Sequence, residues 1–160
     1  MFELKPLSRE AVPAALEKAI RYRLLNEAGA AESICLDVLA VDPDNQEAIK
    51  TIVLAMSDRF GKGYAVGDSG INEYIARLSN EYERTYYSGI VQERRAKATL
   101  AKGGLQAYEL FRDAMDSFER AEAIRPPGDD ASILRWNECA RLIARNKLQP
   151  HVMSADDTLE

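Results

Sequence analysis

The feature that most constrains this chain is an apolar stripe at helical spacing over residues 107 to 124. Its members recur every three or four residues, with charged residues between them. That period places them on one face of an α-helix, whereas a half-buried strand would alternate every second residue. Pro126 and Pro127 follow and end the helix, because proline lacks an N–H and crowds its predecessor. The stripe consists of Tyr108, Phe111, Ala114, Met115, Phe118, Ala121 and Ile124.

Shorter stripes of the same period run through the rest of the chain, and strand patterns are scarce. Gly29 and the run Asp42-Pro43-Asp44-Asn45 separate the first three stripes, as helix-ending residues do. We therefore expect an all-α protein of about seven helices, joined as antiparallel hairpins. The expected helices cover residues 12–27, 31–41, 47–60, 72–80, 81–102, 105–124 and 131–147.

Residues 15 to 43 carry a more specific pattern. Ala19 is followed by Tyr22, Gly29 stands two residues before Ala31, and the segment ends in Leu-Ala-Val-Asp-Pro-Asp-Asn. This stretch resembles a tetratricopeptide repeat, a unit of 34 residues made of two antiparallel helices. The ending at residues 118–126 has the same shape. The chain departs from the family at Cys35, where an aromatic residue is usual.

The resemblance implies a short superhelix of stacked hairpins, in which the first helix of each hairpin lines a concave face. In the family, that face receives a peptide or a helix of a partner protein. It implies a non-catalytic protein–protein interaction module or scaffold. We expect the partner to carry an acidic or mixed segment, because several of the lining residues are basic. The lining residues would be Leu16, Ile20, Arg23, Lys50, Leu54, Arg84, Tyr87, Val91 and Arg94.

The length of 160 residues predicts one domain, over 1–149. Residues 61–70 are rich in glycine and are expected to form an insertion loop. Residues 150–160 hold three acids and no lysine or arginine, which predicts a mobile acidic tail.

Composition disfavours several other functions. The net charge of −5 argues against a nucleic-acid binder. The single histidine, His151, lies in the expected tail, and Cys35 and Cys139 are too far apart for a usual zinc site. We therefore expect no enzyme activity, no metal and no cofactor. No apolar run approaches the roughly 20 residues that span a bilayer, so a cytoplasmic protein without a membrane partner is expected.

Two alternatives remain at this point. The loop over 61–70 could bind a nucleotide or small ligand or serve an enzyme, although it lacks the Gly-x-x-x-x-Gly-Lys-[Ser/Thr] order. The chain could also be a structural subunit that self-associates as a homodimer, with its groove filled by its own tail or by a second copy.

Overall fold

The computed structural model describes residues 1–62 and 68–152, and it is all-helical over these ranges. A 3-10 turn at Arg9–Ala11 precedes seven α-helices, which confirms the predicted class and number for the described residues. Neighbouring helices pack as hairpins, α1 on α2, α2 on α3, and α6 on α7. The helices are α1 (Val12–Leu24), α2 (Ala28–Val41), α3 (Gln46–Ser57), α4 (Asp68–Ala76), α5 (Glu81–Ala101), α6 (Ala107–Ala123) and α7 (Ala131–Arg145).

The chain divides into two compact units, a first unit over Met1–Tyr87 and a second over Ser88–Glu160. Helix α5 contributes residues to both. In the first unit, α3 is buried nearly all around, because α1, α2 and α4 all pack on it. Its buried residues are Ala48, Ile49, Thr51, Ile52, Val53, Ala55 and Ser57.

The turn between α1 and α2 differs from the prediction that Gly29 breaks the helix. Gly29 lies inside α2, and Asn26 adopts the left-handed conformation with φ 64°. The Asn26 N–H donates to the Arg23 carbonyl at 3.0 Å, and the Glu27 N–H donates to the Tyr22 carbonyl at 2.8 Å. This pair of bonds is a Schellman ending, and asparagine is the residue after glycine that best tolerates it.

The turn between α2 and α3 agrees with the prediction. The Asn45 side chain caps α3, since its Oδ1 accepts from the Ala48 N–H at 2.9 Å. Its Nδ2 donates to Asp42 Oδ2 at 2.9 Å, which fixes the cap to the end of α2. An asparagine at this position satisfies one of the N–H groups that a helix start leaves unbonded.

The predicted loop over residues 61–70 extends too far toward the C-terminus. Helix α4 begins at Asp68, so residues 68–70 are helical, and α4 ends at Ala76 instead of continuing to residue 80. Residues 63–67 lie outside the described residues, as do residues 153–160 of the predicted tail.

In the second unit, the stripe on α6 faces the core as predicted. Phe111, Phe118 and most of their partners are buried, but Ile124 follows the last helical residue and is 45% exposed. Gly89 of α5 lies against the Phe118 ring. A methyl group at Gly89 would come within 2.6 Å of a ring carbon, so glycine is required for this approach.

Candidate functional site

Seven of the nine predicted site residues lie in the first unit, on α1, α3 and the beginning of α5. The other two, Val91 and Arg94, belong to the second unit, where Val91 is buried and Arg94 is partly exposed. The site is therefore built from the first unit alone.

Helix α1 presents a row of apolar side chains at a spacing of four residues. Leu16 is partly buried against the apolar core, Ile20 is 43% exposed and Leu24 is 77% exposed. Val12 and Ala19 lie on the adjacent face of α1 and are buried. Leu24 was missed by the sequence analysis, although its spacing from Leu16 and Ile20 is a signal that the sequence contains.

Beside this row, an ion pair connects α1 to the end of α3. Arg23 Nε lies 2.7 Å from Asp58 Oδ2, and both side chains are about three-quarters buried. Asp58 follows Lys50 and Leu54 at intervals of four, so these three residues share one face of α3. Leu54 on that face is partly buried.

A second set of ion pairs connects α3 to the beginning of α5. Lys50 Nζ lies 2.6 Å from Glu47 Oε1 and 3.3 Å from Glu83 Oε1. Burial acts to lower the pKa of Lys50, but the hydrogen bonds and charges of Glu47 and Glu83 outweigh it and the pKa is raised. Lys50 is therefore a cation held between two carboxylates.

Tyr87 lies one helical turn after Glu83 and packs, partly buried, against the core of the first unit. Burial raises the pKa of its hydroxyl, with the charge of Lys50 opposing the shift. The ring of Tyr86 meets the Tyr87 ring edge to face, with centroids 5.4 Å apart. This contact holds the Tyr87 ring in place, because edge-to-face aromatic pairs are favourable.

The structure thus brings the predicted residues of the first unit into three connected helix faces. We call them the α1–α3–α5 surface, formed by the apolar row on α1, the face of α3 that bears Leu54, and Glu83 with Tyr87 on α5. The basic side chains of this surface already have partners within the first unit. Arg23 and Lys50 are ion-paired, and Arg84 donates to the Leu78 carbonyl at 2.7 Å. Because these bases already have partners, the surface does not present unpaired positive charge that would attract an acidic segment.

A separate polar cluster lies in the second unit, between α5 and α7. Glu93 is fully buried, and its Oε2 lies 3.1 Å from Arg135 Nη1 and 3.8 Å from Lys97 Nζ. Lys97 also pairs with Glu138 at 3.0 Å. Burial raises the pKa of Glu93, against the opposing charges of Lys97 and Arg135.

The thiol of Cys139 completes this cluster by donating to Glu93 Oε1 at 3.8 Å. Burial, together with the charge of Glu93, raises the pKa of Cys139 to about 12. A nucleophilic cysteine needs the opposite shift, since the thiolate is the reactive form. The cluster therefore joins two helices, and burial keeps its thiol in the protonated, less reactive form.

Comparisons of this chain with protein-family models, with curated proteins and with solved structures found no match. Over residues 1–62 and 68–152, no helix combines the length and the apolarity needed to cross a bilayer. Among those same residues, no group of three or more His, Cys, Asp or Glu side chains is placed to hold a metal ion.

Proposed function

We propose that this protein is a non-catalytic protein-binding module of tetratricopeptide type, which holds a helix of a partner protein on its α1–α3–α5 surface. The observation that carries the proposal is the exposure of Ile20 and Leu24, aligned with Leu16 on α1. Large apolar side chains grouped on a surface mark sites of protein contact, because water is removed from them when a partner binds.

The shape of the row supports a helical partner. Side chains four residues apart form a ridge along α1, and a ridge fits the groove between side chains of another helix. An amphipathic partner helix binds in this way through apolar residues on one face. The partner's apolar face would contact Ile20 and Leu24, with Leu54 and Tyr87 extending the contact across the surface.

The charges around this surface favour a protein partner over nucleic acid. Three carboxylates, those of Glu47, Asp58 and Glu83, balance three bases, and each base already has a partner: Arg23 and Lys50 are ion-paired and Arg84 donates to the Leu78 carbonyl. Binding to a phosphate backbone depends on bases that neutralise phosphates. Paired charges at the rim of an interface instead set how the partner is aligned and which partner binds. The apolar contacts supply most of the affinity.

The test begins with a photo-crosslinking residue placed at Ile20 and, as control, at Leu134, an exposed apolar residue on α7 of the second unit. A protein crosslinked from Ile20 and absent from the Leu134 sample is then purified. Its dissociation constant is measured with the variants Ile20→Glu, Leu24→Glu and Leu134→Glu.

We expect Ile20→Glu and Leu24→Glu each to weaken binding about 30-fold, the effect of losing a central apolar contact. Leu134→Glu should bind like the wild type. All three should keep the helical circular dichroism and melting temperature, since these positions are exposed. Equal effects of Ile20→Glu and Leu134→Glu, or no effect of either α1 variant, would rule out this surface.

A further inference from the structure

Helix α7 is held in the second unit by few buried side chains. Of its fifteen residues, only Ser132 and Cys139 are buried, whereas α6 buries seven of its seventeen. Other apolar residues of α7, such as Ile133 and Trp136, are partly exposed, and Leu134 is 68% exposed. The stability of a local element follows the apolar surface that it buries, so α7 should open more easily than α6.

Both ends of α7 carry a local cost. At the beginning, the Ser132 hydroxyl is buried and has no hydrogen-bond partner among the residues that the structure describes. A buried polar group without a partner destabilises the state that buries it, because water would bond to it in an open state. At the end, Lys147 has φ 52°, a left-handed conformation that residues other than glycine rarely adopt. Both costs are relieved when α7 detaches and its ends are free to change.

The polar contacts between α7 and α5 are centred on Glu93. Glu93 has no exposed surface, and its Oε2 lies 3.1 Å from Arg135 Nη1 of α7. The Cys139 thiol of α7 donates to Glu93 Oε1 at 3.8 Å. The charged groups that act on Glu93 are Lys97 and Arg94 of α5, and Arg135 and Glu138 of α7. None of these four belongs to α6.

Opening of α7 would bring water to Glu93, and this links the opening to pH. While α7 is closed, burial raises the pKa of Glu93 above its ordinary value of 4.5, against the opposing charges of Lys97 and Arg135. In an open state the carboxyl is hydrated and its pKa returns toward 4.5, so the closed state binds the proton more tightly. The proton therefore favours the closed state fully below pH 4.5, and this contribution is lost as pH rises to the raised pKa.

We propose that α7 is a pH-sensitive switch, which opens independently of the rest of the chain and opens more often when Glu93 loses its proton. Opening exposes to water both Glu93 and the Cys139 thiol, which are fully buried while α7 is closed. The α1–α3–α5 surface lies in the first unit and α7 in the second, so this proposal does not depend on the proposed function.

The first test uses the two thiols of the wild type, because each unit buries one of them. The full chain reacts with dithiodipyridine at neutral pH over a series of low urea concentrations, and the peptides that carry Cys35 and Cys139 are separated after digestion. Each rate is divided by the rate of the same thiol in the urea-unfolded chain, which gives the open fraction. Cys139 should react at least about tenfold faster than Cys35 and depend little on urea, since a local opening exposes less surface than unfolding. Equal rates with the same steep dependence on urea would overturn the proposal.

The second test follows the normalised rate of Cys139 as pH rises from 4.5, in the wild type, Glu93→Gln and Glu138→Gln. The wild-type rate should rise severalfold per pH unit, with about tenfold as the limit for one proton, and level off above the raised pKa. Glu93→Gln should remove the rise, because its side chain cannot ionise. Glu138→Gln should keep it, because the lowered pKa of Glu138 places its titration below 4.5. A flat wild-type rate, or a rise that persists in Glu93→Gln, would show that Glu93 does not control α7.

Discussion

The two units of this protein bury polar groups differently. In the first unit the core is aliphatic, with Val38, Ile49 and Ile52 fully buried, and the ion pairs between its helices stay partly exposed. In the second unit, a carboxylate with no exposed surface, Glu93, lies between α5 and α7. A buried charge is tolerated only while it keeps its partners. The second unit should therefore respond more sharply to pH and to single substitutions.

The two cysteines show how similar properties arise from these different surroundings. Cys35 and Cys139 are both fully buried, and burial raises the pKa of each thiol to about 12. Cys35 lies in the apolar cluster of the first unit, where Glu32 adds to the shift. Cys139 lies against Glu93. Both thiols are protonated at neutral pH, but only that of Cys139 hydrogen-bonds a buried carboxylate.

The largest expected effect is on the aromatic core of the second unit. Phe118→Ala should lower the free energy of unfolding by about 3–5 kcal/mol, because a fully buried ring is replaced by a cavity. Urea denaturation monitored by circular dichroism measures the change. Leu134→Ala, at an exposed position, should stay within about 0.5 kcal/mol of the wild type. A loss under about 1 kcal/mol for Phe118→Ala would mean that this unit does not rely on the ring.

A smaller loss of stability is expected when a methyl group is added at the contact between Gly89 and Phe118. Gly89→Ala places a carbon 2.6 Å from the buried Phe118 ring, which has little room to move. Overpacking of this kind costs about 1–3 kcal/mol, despite the better helix propensity of alanine. The matched control is Gly29→Ala in α2 of the first unit, where nothing lies within 4 Å and stability should rise by up to about 1 kcal/mol. Equal stabilisation by both variants would show that α5 and α6 are not this close.

The pH dependence of stability should distinguish Glu93 from Glu138. The raised folded pKa of Glu93 means that the native state holds its proton more tightly than the unfolded chain. The stability of the wild type relative to Glu93→Gln should therefore fall as pH rises from the ordinary value of 4.5 to the raised pKa. Each unit of pKa shift corresponds to about 1.4 kcal/mol.

Glu138→Gln is the control with the opposite sign. Burial acts to raise the pKa of Glu138, but its hydrogen bond and attraction to Lys97, with the charge of Arg135, lower it overall. Its contribution is present above 4.5 and is lost as pH falls through the lowered pKa. Urea midpoints measured over a pH series give both slopes. Slopes of the same sign would contradict the assignment of Glu93 as the buried member of the cluster.

The sequence predicted the helices well and the polar cluster not at all. Stripes such as that on α6 identify helices because their period is a local property of the chain. In the sequence Glu93 is one of three acids of α5, and its burial depends on Arg135 and Cys139, more than 40 residues away. Gly29 was misread for the related reason that several residues can end a helix, and the hydrogen bonds at Asn26 decided the position. The sequence singled out several residues of the α1–α3–α5 surface but not Leu24 or Glu83, and the pairing of Lys50 with Glu83 depends on how α3 packs against α5.

The smallest expected effect concerns helix ends, where the two units again differ. In the first unit α1 ends on Asn26 at φ 64°, and in the second α7 ends on Lys147 at φ 52°. Lysine tolerates this left-handed conformation less well than asparagine, at a cost of about 1–2 kcal/mol, whereas glycine adopts it without strain. Part of that gain is offset by the greater freedom of glycine in the unfolded chain. Lys147→Gly should therefore stabilise the protein by about 0.5–1 kcal/mol in urea denaturation, and Asn26→Gly should change it by a few tenths. A loss of stability for Lys147→Gly would show that the lysine side chain itself supports the end of α7.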